Sequence, residues 1–231
     1  VVSSSVQGSG WLNAYDLNAI EAGMKLAAEA GESTVEVLTV GGEALDNSKM
    51  RKAGLSRGPV KMYGVKAGEC GDMYSTAVLL KGAIEKIGDA DLVICGEGSG
   101  DMYSQAMGNV LAALLNAAAV NSVEDLSFED GAVYASRSSG KRVEKLKLNG
   151  PAVVSVTSDI CRPHIPSMKD IMAAGKKPVE VWDASEFESV SAPVTTVSVL
   201  APERTDRMQT VFKASDETGI DEFVKALKKS I

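Results

Sequence analysis

The stretch Asp91-Leu-Val-Ile-Cys-Gly-Glu-Gly-Ser-Gly-Asp101 decides the fold class of this chain. Four apolar residues lead into a glycine-rich turn, and a helix-like stretch from Ser104 to Asn116 follows. In α/β proteins this order presents backbone N–H groups to a phosphate at the carboxyl edge of the sheet. The stretch therefore predicts a nucleotide site. Alternating glycines alone also suit a tight turn without a ligand.

The rest of the first two thirds of the chain repeats this alternation. Strand-like runs lie at Val35–Val40, Val60–Val65 and Ala152–Val156, while Leu17–Glu29 and Ser75–Ile87 have apolar residues at helical spacing. Strands that alternate with helices indicate parallel pairing. We therefore expect an α/β, Rossmann-like fold with a mostly parallel sheet and helices on both faces.

Two segments depart from this alternation. Val123–Leu148 has short alternating runs with turns at 129–131 and 138–140, which predicts an antiparallel excursion of the sheet. After Pro178 the chain has little periodicity until a helix-like stretch at Ile220–Ile231. We expect residues 1–178 to form the nucleotide-binding domain and residues 179–231 an extended C-terminal arm and helix that packs on a partner subunit. A disordered linker to a terminal helix is the alternative.

Composition excludes several classes of function. The 231 residues carry a formal net charge of −7, which argues against a nucleic-acid partner because phosphate backbones need a basic face. The sequence has no apolar run long enough to span a membrane and no secretory pattern, so a cytoplasmic location is expected. It also lacks a phosphate-binding P-loop and a zinc motif. With His164 as the single histidine, we expect no metal site and no catalytic residues.

Several motifs, in order along the chain, carry a resemblance to a known family. They are Tyr15–Ala22, Arg51–Pro59, Gly96–Asp101, Ser158–Met172 and Lys176–Pro178. Together they resemble the β (small) subunit of the electron transfer flavoproteins. The sequence is most similar to the Fix-type branch, which is associated with anaerobic acyl-CoA and carnitine reduction, because it has Ser-Arg-Gly-Pro and Gly-Ser-Gly-Asp in two of these motifs.

The resemblance implies a subunit that pairs with a larger α subunit carrying the redox-active FAD. It implies that the small subunit itself holds an AMP, or a second FAD in members that bifurcate electrons. Its pocket would be formed by three segments. These are Asn13, Ala14, Tyr15 and Asp16; Val40 and Gly41; and Gly96, Glu97, Gly98, Ser99, Gly100, Asp101, Ser104, Gln105, Ala106 and Met107.

The resemblance also implies a loop that docks on a redox partner of the acyl-CoA dehydrogenase type. Met168 stands where relatives have an anchoring leucine, and methionine adapts readily to apolar pockets. Arg162, Lys169 and Lys176 would steer association. Arg137 matches a position on the flavin side, although Ser138 replaces the acid that usually follows it. The docking residues would be Ile165, Pro166, Ser167, Met168, Lys169, Ile171 and Met172. A short helix with core-facing isoleucine and methionine is the structural alternative.

The sequence therefore predicts an electron-carrier subunit with no bond chemistry of its own. Two alternatives stay open. One is a flavin-based electron-bifurcating subunit that uses NADH, and the other is a stand-alone adenine-nucleotide-binding regulatory protein.

Overall fold

The computed structural model describes residues 12–68, 72–100, 102–190, 193–194, 197 and 209–230. The described residues up to Val197 belong to one compact unit, and residues 209–230 belong to a second. The helices are α1 (Ala14–Ala30), α2 (Ser48–Leu55), α3 (Met73–Ile87), α4 (Met107–Leu115), α5 (Met168–Ala174) and α6 (Gly219–Ser230). The strands are β1 (Glu36–Gly41), β2 (Lys61–Lys66), β3 (Leu92–Gly96), β4 (Ala118–Glu129), β5 (Ala132–Ser139), β6 (Arg142–Leu148), β7 (Ala152–Val156) and β8 (Val179–Asp183).

The strands of the larger unit form two hydrogen-bonded sheets among the described residues. One has the order β1-β2-β8 and is entirely parallel. The other has the order β3-β7-β4-β5-β6, in which β3, β7 and the first half of β4 are parallel and the hairpins to β5 and β6 are antiparallel. The α/β class and the antiparallel excursion are confirmed. The division of the strands into two sheets was not expected from the sequence.

Helices cover both faces of each sheet. In the five-stranded sheet, alternate residues of β7 face opposite sides: Val154 and Val156 pack with α1, whereas Val153 and Ser155 face Gly108 of α4. In the three-stranded sheet, Met62 of β2 packs with residues of α2 and α5. The opposite face of β2 packs with Ala83 of α3. Parallel strands buried on both faces need such double cover.

The helix and strand predictions agree closely with the observed elements. The four predicted parallel strands correspond to β1, β2, β3 and β7, and the predicted helices correspond to α1, α3, α4 and α6. The stretch predicted from Ser104 becomes helical only at Met107. Helix α2 was not predicted, and α5 appeared only in the structural alternative for the docking residues. Helices of eight and seven residues are too short for apolar periodicity to give a clear signal.

The C-terminal segment divides into parts with different structures. Residues just beyond the expected boundary at 178 form β8, and Trp182 and Phe187 pack beside Tyr63 on the α3 face of the sheet. This part therefore belongs to the core of the larger unit and not to an arm. In the smaller unit, the rings of Phe212 and Phe223 meet edge to face at 5.9 Å. Packing of this unit on a partner subunit stays a prediction.

Candidate functional site

The glycine turn, which comprises Gly96–Gly100, lies where two adjacent parallel strands end. Gly96 at the end of β3 is paired with Val156 at the end of β7, and the N–H of Glu97 still donates to the carbonyl oxygen of Val156 at 3.0 Å. Beyond Glu97 the chain leaves the sheet and reaches α4 at Met107. The turn therefore occupies the carboxyl edge of the sheet, which is the usual ligand-binding position in open α/β folds.

The first turn of α1 holds the glycine turn in place. The Asn13 Nδ2 donates to the carbonyl oxygen of Gly98 at 2.7 Å, and the Gly96 N–H donates to Asp16 Oδ1 at 3.1 Å. A Cβ atom on Gly96 would lie 2.6 Å from the Cβ of Tyr15, closer than two carbon atoms approach. Glycine at position 96 is therefore required by the close approach of α1. The structure thus brings together two of the predicted segments.

A side-chain network folds over the turn. The Tyr103 hydroxyl donates to Glu97 Oε1 at 2.7 Å, and Gln105 Nε2 donates to Glu97 Oε2 at 3.3 Å. The Tyr103 ring lies over Gly98, where a Cβ atom would be 2.6 Å from the ring, and its centroid is 5.4 Å from that of Tyr15. Tyr103 was not among the site residues predicted from the sequence, and no spacing rule identifies it.

The surroundings of the glycine turn shift the pKa of two groups. Desolvation by the surrounding chain raises the pKa of Asp16 above its usual range, although part of the side chain faces solvent. Hydrogen bonds from Gly96 and Asn13 oppose this rise. The hydrogen bond to Glu97 raises the pKa of Tyr103 to about 12. Tyr103 therefore stays a neutral donor at physiological pH, since its proton is shared with an anionic acceptor.

A small polar cleft adjoins the turn at the start of α4. Among the residues that the structure describes, no side chain caps this helix, whose N-cap is Ala106. The first backbone N–H groups and the dipole of such a helix favour an anion. A Cβ atom on Gly108 would lie only 2.1 Å from Ser155 Oγ, which shows how closely α4 approaches β7. The cleft is lined by Glu97, Gln105, Asn121, Ser122 and Ser155. The last three were missed because they lie on strands distant in sequence from the glycine motif.

Other predicted pocket residues have separate surroundings. Val40 packs in the core around Tyr63 and Trp182, and the Gly41 carbonyl accepts from the Ala67 N–H at 2.9 Å. No hydrogen bond among the described residues joins these two positions to the glycine turn. The Ser104 hydroxyl contacts the Met73 sulfur at 3.7 Å. Ala14 is exposed at the start of α1. The prediction for Asp101 lies outside the described residues.

Arg137 is connected to the polar cleft by its hydrogen bond to Asn121. Its Nε donates to Glu144 Oε2 at 2.9 Å, and its Nη1 donates to Asn121 Oδ1 at 2.8 Å. Asn121 in turn lines the cleft. The arginine is therefore fixed within the antiparallel excursion, one side chain away from the carboxyl edge.

The predicted docking residues follow β7 and carry apolar side chains into solvent. Ile165, Met168 and Met172 are 88%, 74% and 71% exposed, and Ile171 is also exposed. These exposures exclude the alternative in which the residues face the core. Large apolar side chains grouped on a surface mark an interaction site more often than isolated ones do. We call Ile165–Met172 the docking segment below.

The backbone of the docking segment is well defined at its helix start. Ser167 and Asp170 form a capping box in which each side chain accepts from the other's backbone N–H, and the Ser167 hydroxyl also donates to Asp170 Oδ2. These hydrogen bonds hold the pKa of Asp170 below its usual range. The box begins α5 at Met168 and so fixes the position of that exposed side chain.

No helix within the described residues is both long and apolar enough to cross a bilayer. A family model described as the electron transfer flavoprotein domain matches residues 3–187, four fifths of the chain. The matched range contains the glycine turn, the polar cleft, Arg137 and the docking segment. The members of this family are flavin-associated proteins of electron transport. The chain therefore belongs to the electron transfer flavoprotein family.

Proposed function

We propose that this chain is the β (small) subunit of a heterodimeric electron transfer flavoprotein of the Fix-type branch, acting in the cytoplasm. The observation that carries this proposal is the docking segment, in which a capped helix presents exposed apolar side chains within the matched family domain. The redox-active FAD is carried mainly by the large subunit, and this chain helps to pass electrons between that flavin and a partner protein.

The glycine turn is proposed to bind AMP. The start of α4, which no described side chain caps, supports a phosphate there, because the N–H groups and dipole of a helix start favour an anion. Asp16, Glu97 and Gln105 supply acceptors and donors for hydroxyl groups or a base edge. The cleft beside the turn is small and polar, which favours a mononucleotide over a second FAD.

The docking segment is proposed to bind a redox partner of the acyl-CoA dehydrogenase type. Met168 is the apolar anchor, with Ile165 and Met172 beside it. Exposed cations surround these side chains and would accelerate encounter with an acidic partner surface. A small apolar contact of this kind releases quickly, as electron transfer requires. The flanking cations are Arg162, Lys169 and Lys176.

Arg137 is proposed to face the flavin side of the heterodimer. A guanidinium near a reduced flavin stabilises its anionic form. Its ion pair with Glu144 and its hydrogen bond to Asn121 hold it ready for that role.

The decisive experiment is to co-express this chain with its large subunit, purify the complex and identify the released nucleotides by mass and absorbance. One FAD with one AMP per heterodimer is the expected result. Two FAD molecules would instead support the bifurcating alternative that uses NADH. A monomer that binds ATP, or no nucleotide, would overturn the electron-transfer proposal in favour of a stand-alone regulatory protein.

A further inference from the structure

The middle of α1 contacts the chain that leads into the docking segment. Asn18 is 7% exposed, and its Nδ2 donates to the carbonyl oxygens of Ser158 and Cys161 at 3.2 and 2.6 Å. The Cys161 sulfur approaches the Asn18 carbonyl oxygen at 3.6 Å. One buried side-chain amide therefore holds two backbone positions that are 140 and 143 residues away in sequence.

Glu21 makes a second attachment, one helical turn further along α1. Its Oε2 accepts from the backbone N–H of His164 at 3.3 Å and lies 2.7 Å from His164 Nδ1. The Glu21 side chain is only 13% exposed. Burial pushes the pKa of Glu21 upward, but the hydrogen bonds from His164 outweigh burial and hold that pKa below its usual range. The ionised Glu21 carboxylate is thus a hydrogen-bond acceptor for His164, the residue immediately before Ile165.

We infer that Asn18 and Glu21 are positioning residues that hold the docking segment in its binding-competent form. This inference rests on the proposed docking role of Ile165–Met172. Neither residue belongs to the docking surface itself, and each acts through the backbone of residues 158–164.

A binding loop that is not ordered before contact must be ordered on docking, at a cost in binding free energy. Helix α5 has seven residues, and helices of this length are not stable on their own in water. The exposed side chains of Ile165 and Met168 contribute little burial that would order the segment before a partner arrives. Attachment to α1 fixes the backbone beforehand, so that docking does not have to supply the ordering free energy.

Four variants test the inference in the full chain complexed with its large subunit. Glu21→Ala removes the acceptor, and Glu21→Gln keeps an oxygen for the His164 N–H. Met168→Ala removes the proposed anchor. Glu29→Ala is the matched control, because Glu29 also lies on α1 and accepts from a distant backbone N–H, that of Phe128 at 3.0 Å, on the antiparallel excursion.

Two measurements are made on each variant. Hydrogen exchange reports the protection of amides 161–172. Electron transfer from a purified acyl-CoA dehydrogenase, with its FAD reduced by acyl-CoA, gives KM for the dehydrogenase and kcat. We expect Glu21→Ala to lose protection in 161–172 and to raise KM about tenfold with kcat unchanged, since only the ordering cost changes. Glu21→Gln is expected to recover most of the protection and to raise KM about threefold. Glu29→Ala is expected to leave KM unchanged.

Each outcome decides the matter. Unchanged protection in Glu21→Ala, or an equal rise of KM in Glu29→Ala, overturns the positioning role. The positioning role is also overturned if Glu21→Ala loses protection but does not raise KM, while Met168→Ala does raise KM. If Met168→Ala leaves KM unchanged, the proposed docking function fails and the inference falls with it. If Glu21→Ala does not fold, Glu21→Gln is tested instead. The absence of its expected threefold rise of KM then overturns the inference.

Discussion

The glycine turn and the docking segment are two loops in the same position of the fold that present their side chains in opposite ways. Each follows a parallel strand, β3 or β7. The glycine turn is hydrogen-bonded to the start of α1 directly, and the docking segment is attached to α1 through the residues that precede it, 158–164. In the glycine turn, Tyr103 and Gln105 fold back onto Glu97. In the docking segment, the backbone is held and the side chains of Ile165 and Met168 point into solvent.

This difference separates two kinds of recognition. A turn whose polar side chains bond each other around glycines suits a small ligand that is held by backbone groups. A segment with a fixed backbone and free apolar side chains suits a protein surface, because the ordering cost is met before contact. The two loops are therefore distinguished by where their side chains are directed, and not by their place in the sheet.

The largest expected effect is on the glycine turn. Gly96→Ala places a Cβ atom 2.6 Å from Tyr15 Cβ and 2.7 Å from its backbone carbon. Overpacking of this kind costs about 1–3 kcal/mol, and we expect at least a tenfold loss of AMP affinity measured by calorimetry. Gly68→Ala is the control, since no atom of the described residues lies within 4 Å of its Cβ and Gly68 is not among the proposed pocket residues. Equal affinities of the two variants would contradict the close approach of α1.

The second effect concerns the docking segment. Met168→Ala truncates an exposed anchor, and we expect KM for the dehydrogenase to rise about tenfold without a change in the free energy of unfolding. Val143→Ala is the control, because Val143 is also 74% exposed but lies on β6. A similar rise in both variants would show that surface hydrophobicity in general, and not this segment, governs docking.

A smaller effect is expected from the helix cap. Ser167→Ala removes the hydroxyl that accepts from the Asp170 N–H, at a cost of about 1 kcal/mol to α5. We expect faster hydrogen exchange in 168–174 and a rise of KM of about threefold, while AMP affinity stays the same. A change in AMP affinity would mean that the two loops are not independent.

The smallest effect is the pH dependence of the Glu21 attachment. The folded pKa of Glu21 lies below the ordinary value of 4.5, so its contribution to stability is complete above pH 4.5 and is lost as the pH falls through the folded pKa. We expect the free energy of unfolding in urea to be about 1 kcal/mol higher for the wild-type chain than for Glu21→Gln at pH 7, and this difference to shrink as the pH falls below 4.5. A constant difference across this range would exclude the ionised carboxylate as the cause.

Much of the fold follows from local sequence patterns. The strands β1, β2, β3 and β7 and the helices α1 and α3 are indicated by apolar runs and helical periodicity. The glycines after β3 predicted the turn, and the docking segment was implied by the resemblance that the motif Ser158–Met172 carries. These features depend on near neighbours in the chain, so the sequence contains them directly.

Long-range contacts decided the rest. The sequence determined that this chain alternates strands with helices, has a glycine turn after β3 and belongs with a family of electron carriers. Only the tertiary structure placed Tyr103 over Gly98, brought Ser155 to the start of α4, and joined Asn18 and Glu21 to the chain before the docking segment. It also placed β8 in a sheet. The reason is physical: these contacts join residues far apart in sequence, and no local propensity encodes which distant backbone group a buried polar side chain will meet.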